Sequence, residues 1–117
     1  MNEKEVLLRE IISIVGEQHF YNISVGMIPP RDMEVIELKQ LIKLLLEIKK
    51  RREKKFLCPD QFVISTIAEL LYNDLSSINI SGLPVQRMDK LELIELEKLV
   101  RLMKLREKGY QVIEDRF

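Results

Sequence analysis

A run of six basic side chains is the strongest candidate for chemistry in this sequence. Positions 49–55 read KKRREKK, and the cations are Lys49, Lys50, Arg51, Arg52, Lys54 and Lys55. Such a run can bind nucleic-acid phosphates or the carboxylates of an acidic protein, and arginine suits both because its fork donates two parallel hydrogen bonds. The run holds no aromatic residue on which a base could stack. Positive charge at the end of a helix also complements the helix dipole, so partner binding and helix stabilisation both remain open.

The residue types that usually carry catalysis are isolated in this chain. His19 is the only histidine and Cys58 the only cysteine. Neither has a neighbour in the sequence that could complete a nucleophile–base pair or a metal site. The four glycines are scattered and form no phosphate-binding loop. We therefore predict a protein that is not an enzyme and that uses no metal and no cofactor.

Composition indicates one folded domain spanning residues 1–117. Hydrophobic residues make up 46% and charged residues 32% of the chain, and the formal net charge is zero. A neutral balance argues against a protein that coats nucleic acid, although a local basic patch remains compatible with it. No apolar run reaches the ~18–20 residues that a membrane span needs. The N-terminal sequence is acidic where a secretory signal is basic, so we expect a cytoplasmic protein with no membrane contact.

Apolar spacing predicts four helices, over residues 2–16, about 30–56, 59–75 and about 89–108. The second of them ends in the basic run. Asp89 and Glu92 have the spacing of a capping box before the fourth helix. The predicted fold is all-α, a helical bundle of four helices. We find no internal repeat in these patterns.

One segment between the first two helices alternates apolar and polar residues like a strand. Tyr21–Val25 is this segment. A lone strand needs a partner, and the alternation at Gln111–Ile113 makes that stretch the candidate. The bundle is therefore allowed a short two-stranded β accessory.

The apolar arcs of the second and fourth helices are broad, which is typical of helices that are covered on several sides. One interpretation is that they fill the chain's own core. The other is that a further chain covers part of them, in a homo- or hetero-oligomer. The predicted interface residues are Leu38, Leu41, Leu45, Ile48, Leu96, Leu99 and Met103.

From residue 35 to 107 the order of features resembles the helical domain of GINS subunits, which act in the replication-fork complex of archaea and eukaryotes. The stretches that carry the resemblance are ELKQLIKLLLEIKKRREKKFLCPDQF, LLYNDLSS and MDKLELIELEKLVRLMKLRE. The resemblance implies a DNA replication scaffold that binds sister subunits, helicase components and a primase or polymerase, without catalytic residues. The first hypothesis is accordingly a non-enzymatic interaction protein. The alternative is a small nucleic-acid-binding or regulatory protein that uses the basic helix end.

Overall fold

The computed structural model describes residues 2–50 and 60–109, and this part of the chain is mostly helical. In chain order its elements are α1 (Glu3–Val15), α2 (Glu17–Phe20), β1 (Ile23–Ser24), α3 (Val35–Lys50), α4 (Gln61–Leu70), β2 (Asn79–Ile80) and α5 (Lys90–Glu107). Short 3₁₀ turns lie at Pro30–Asp32, Leu75–Ser77 and Val85–Arg87. The prediction of four main helices with a small two-stranded accessory is confirmed.

Side-chain caps define where the helices begin. The Asn2 side chain accepts a hydrogen bond from the Glu5 N–H at 2.9 Å. Asp60 accepts hydrogen bonds from the first N–H groups of α4. The predicted capping box of Asp89 and Glu92 is present at the start of α5. Each cap satisfies backbone donors that a helix cannot pair internally, which fixes the first turn.

Two helix boundaries differ from the prediction. The second main helix begins at Val35, because Pro30 opens a separate 3₁₀ turn and Met33 then takes an extended backbone conformation. The third ends at Leu70, because Tyr72 and Asn73 have φ of 55° and 63° and cannot continue a right-handed helix. Positions 51–59, including the rest of the basic run, lie outside the described residues.

The strand β1 pairs with β2 in antiparallel register, Ile23 opposite Ile80 and Ser24 opposite Asn79. The predicted strand is thus confirmed, but its partner comes from the segment that we expected to be a loop. Ile23 and Ile80 are each 2% exposed, so core burial holds this pairing. The candidate partner Gln111–Ile113 lies outside the described residues.

The described chain consists of two related helix–strand–helix units, residues 2–50 and residues 60–109. Equivalent features recur 55 residues later: the antiparallel bridge Val25–Ile28 at Ile80–Leu83, and the 3₁₀ turn Pro30–Asp32 at Val85–Arg87. The sheet register also obeys this spacing, since the pair Ser24–Asn79 maps onto itself when the units are exchanged. Our prediction that there is no internal repeat is therefore wrong, because the relation lies in turns and spacing that helix patterns do not reveal.

The two units pack across an approximate two-fold axis that runs through the sheet. Within each unit the two main helices run in the same direction, since Glu3 binds Lys39 at 3.0 Å near the start of the first pair and Asp60 binds Lys90 at 3.8 Å near the start of the second. Between the units, α3 packs on α5. None of the helices in the two described ranges is long and apolar enough to cross a membrane.

This packing corrects the predicted interface. Leu38, Leu41, Leu45, Leu96, Leu99 and Met103 are buried in the chain's own core, and Ile48 is half-buried against that core. A side chain that is already covered within one chain cannot contact another chain. The broad apolar arcs are covered by the other unit of the same chain, which is the alternative that the sequence left open.

Candidate binding site

The largest apolar depression on the described surface lies beside the turn Val25–Ile28, and we call it the hairpin pocket. Its volume is about 500 Å³. Buried apolar side chains form its floor, namely Val25 from the first unit and Leu71, Val100 and Met103 from the second. The pocket therefore spans the junction of the two units, and it has the size and apolar character of a binding site.

Two large and highly exposed side chains flank the hairpin pocket. Met27 is 77% exposed and Tyr72 is 81% exposed. Both residues have left-handed backbones, with φ of 69° and 55°. This conformation costs a residue with a side chain roughly 1–2 kcal/mol, so both positions carry a local strain that glycine would avoid.

The turn that holds Met27 explains its backbone. Val25 and Ile28 exchange two backbone hydrogen bonds of 3.0 and 3.1 Å, and Gly26 and Met27 between them both have positive φ. This is the geometry of a type I′ turn, in which glycine is favoured at the second central position. The equivalent turn of the second unit obeys that preference, because Gly82 has φ of 84° there.

Tyr72 stands in the same relation to the first unit. It is the first residue of positive φ after α4, and Gly16, with φ of 89°, is the first after α1. In both comparisons one unit has glycine where the other has a large exposed side chain. The fold itself therefore does not require the side chains of Met27 and Tyr72.

The equivalent depression in the other half of the molecule is smaller, and we call it the counterpart pocket. It has a volume of about 160 Å³ and is lined by residues that include Val15, His19, Leu45, Lys49 and Ile80. Its floor has the same apolar character as the hairpin pocket. The connection from α1 to β1 contains the helix α2, whereas the connection from α4 to β2 opens with the left-handed turn at Tyr72.

Charged side chains around the hairpin pocket have partners within the chain. The Lys104 ammonium donates to Glu107 at 3.0 Å and lies 4.4 Å from the centre of the Tyr72 ring. The Asp74 carboxylate accepts a hydrogen bond from Ser76. The rim is therefore electrically balanced, and its apolar and aromatic surface is the feature left to engage a ligand.

Arg106 makes the one ion pair near this pocket that has a buried member. Its Nε donates to the Glu37 carboxylate at 2.8 Å, and Glu37 is 1% exposed. This hydrogen bond is the main reason why the pKa of Arg106 is raised, although burial opposes the shift. The other carboxylate oxygen of Glu37 accepts the Glu34 N–H at 2.8 Å. Glu37 thus joins the start of α3 to the end of α5.

The structure tests the predicted basic run only in part. Lys49 and Lys50 are exposed at the end of α3, and with Lys43 they line a surface depression of about 450 Å³ that also holds Glu47 and Glu95. The remaining predicted cations, Arg51, Arg52, Lys54 and Lys55, lie outside the described residues. Lys43, in the same depression, was not among the predicted site residues.

The other residues considered for chemistry remain apart in the described structure. His19 is exposed, and Cys58 lies outside the described residues. Within residues 2–50 and 60–109 no group of three or more His, Cys, Asp or Glu side chains is placed to hold a metal ion.

Sequence reasoning missed Met27 and Tyr72, and the missed signal was the repeat. At a spacing of 55 residues the two units share identical residues, for example Pro29 with Pro84 and Lys49 with Lys104. Aligning the units on these pairs places Met27 opposite Gly82. A large apolar residue opposite a turn glycine would have indicated the site.

Fold and site together define a mostly helical protein of two related helix–strand–helix units with one enlarged apolar pocket at their junction. Comparisons with models of known protein families, with curated proteins and with solved structures found no match. The argument for function therefore rests on the site.

Proposed function

We propose that this protein is a non-enzymatic interaction protein that binds an apolar segment of a partner polypeptide in the hairpin pocket. The observation that carries the proposal is the pair of large exposed side chains, Met27 and Tyr72, at left-handed positions where the other unit has glycine. Strained residues that the fold does not need are typical of functional sites.

The chemistry of the rim fits this role. Methionine adapts its shape to different apolar partners, and tyrosine supplies a large rigid surface with one polar end. Full burial of a side chain of this size contributes about 1.5–3 kcal/mol. A segment that covered Met27, Tyr72 and the pocket floor would therefore gain enough to offset part of the cost of association.

The resemblance to GINS subunits indicates which partners to test first. It implies sister subunits of a replication complex, and a second copy of this chain is the corresponding homo-oligomer. The predicted contact through Leu38 and its neighbours is replaced in this proposal by the hairpin pocket.

A double substitution, Met27→Gly with Tyr72→Gly, tests the proposal because it gives the pocket the residues of the other unit. Relief of left-handed strain and the higher unfolded-state entropy of glycine are each worth about 1 kcal/mol and oppose one another. We therefore expect stability to change little while partner binding is lost. The matched control is Val6→Ala, a change at an exposed apolar residue of α1.

The measurement is co-purification from the source organism followed by reconstitution with each purified partner. Support requires a polypeptide that binds the parent chain and the Val6→Ala control but not the double variant. If the double variant folds normally and retains the same partners with the same affinity, the hairpin pocket is not the binding site and the proposal fails.

The alternative function, nucleic-acid or acidic-protein binding by the basic helix end, is favoured by one observation. Lys43, Lys49 and Lys50 are exposed and line the same surface depression. Phosphate binding must weaken steeply as salt rises, because it releases condensed counterions. Titration with single-stranded and duplex DNA at two salt concentrations tests this. An affinity that is unchanged in Lys49→Ala with Lys50→Ala would exclude these two lysines from the contact.

A further inference from the structure

The methionines of the described chain differ sharply in their access to solvent. Met27 is 77% exposed, whereas Met33 and Met88 are 0% and Met103 is 8% exposed. A thioether reacts with a dissolved oxidant only where the oxidant can reach the sulfur. One methionine in the described ranges is therefore open to attack, and it lies on the rim of the hairpin pocket.

We propose that Met27 is an oxidation site through which peroxide regulates the hairpin pocket. Hydrogen peroxide transfers one oxygen atom to the Met27 sulfur, the O–O bond breaks, and water leaves. The sulfur is oxidised by two electrons and the peroxide is reduced by two. The product is methionine sulfoxide, which methionine sulfoxide reductases convert back to methionine.

The fold tolerates this change. The Met27 main chain is held by its N–H, which donates to the Ser77 carbonyl at 3.1 Å, and the exposed side chain contributes little packing. The equivalent position of the second unit is Gly82, so a type I′ turn of this kind forms without any side chain there. Oxidation therefore leaves the thermal midpoint unchanged.

Binding responds differently, and this part of the inference rests on the proposed function. The sulfoxide oxygen is a strong hydrogen-bond acceptor, and an apolar segment that covers Met27 must remove its water without replacing it. Loss of the apolar contribution of this side chain corresponds to about tenfold weaker binding. The oxidised pocket is the low-affinity state and the reduced pocket the high-affinity state.

The experiment treats the full chain with hydrogen peroxide for graded times and measures oxidation at each methionine by peptide mass spectrometry. Met27 is expected to be oxidised well before Met33, Met88 and Met103, and this order disappears in urea, where all are exposed. Equal rates for Met27 and Met103 in the folded chain would overturn the proposal.

A second arm uses the apolar dye 8-anilinonaphthalene-1-sulfonate as the probe. Peroxide is expected to weaken dye binding to the parent chain, reductase to restore it, and the variant Met27→Leu to resist peroxide. If selective oxidation leaves dye binding unchanged while Met27→Gly with Tyr72→Gly abolishes it, the regulatory role is wrong and the pocket stands. If the double variant binds dye like the parent, the pocket itself is wrong, whatever the oxidation order.

Discussion

Removal of the Arg106 side chain should destabilise the protein far more than removal of any solvent-exposed arginine. The substitution Arg106→Ala leaves the Glu37 carboxylate, which is 1% exposed, without its 2.8 Å partner. A buried charge that loses its partner keeps its full desolvation cost. The connection between the start of α3 and the end of α5 is lost at the same time.

The magnitude follows from the burial of the two partners. Breaking a fully buried ion pair costs about 3–5 kcal/mol. The Arg106 side chain is 35% exposed, so solvent already screens part of the interaction. We therefore expect a loss of about 2–3 kcal/mol, which lowers the urea midpoint by roughly 1–2 M for a domain of this size.

The assay is equilibrium unfolding in urea followed by far-ultraviolet circular dichroism. The control is Arg101→Ala, which removes the exposed pair with Glu97 at 3.0 Å and should cost about 0.3–0.5 kcal/mol. A cycle with Glu37→Gln isolates the coupling, because the glutamine oxygen can still accept the Glu34 N–H. If Arg106→Ala lowers the midpoint no more than Arg101→Ala does, the ion pair does not support the fold as argued.

Three further predictions follow from the core and from the repeat. Leu41→Ala, at a side chain that is 0% exposed, should cost about 2–5 kcal/mol in the same urea assay, and a loss below about 1 kcal/mol would contradict its place in the core. Arg51 occupies the repeat position of Arg106, so we expect Arg51→Ala to destabilise the fold clearly and Arg52→Ala to cost less than about 0.5 kcal/mol, as a surface substitution does; equal effects would refute the correspondence. Gly82→Met should add a rim to the counterpart pocket and produce a second dye-binding site by fluorescence titration, and a stoichiometry that stays at one would count against the rim as the binding determinant.

Helix existence was the predictable part of this fold. The apolar spacing placed all four main helices, and the Asp89–Glu92 spacing located the start of α5, because these signals are local in sequence. The helix ends that failed depend on single backbone torsions. Proline at position 30 suits the first position of an α-helix and of a 3₁₀ turn equally well, and only tertiary packing decides between them.

The sheet and the site were less predictable because both depend on pairing between distant residues. The partner of β1 lies more than fifty positions away, in a segment rich in turn-forming residues. The predicted interface failed for a related reason. Hydrophobic spacing shows that a helix face is covered, but not whether the covering residues belong to the same chain.

The joining of two like units in one chain has a consequence for how the molecule changes over time. In a homodimer of separate copies, every substitution appears on both sides of the axis, so the two halves stay identical. Here each half is encoded separately, and position 27 can hold methionine while position 82 holds glycine. Covalent linkage thus frees one half to preserve the turn geometry while the other acquires new surface chemistry.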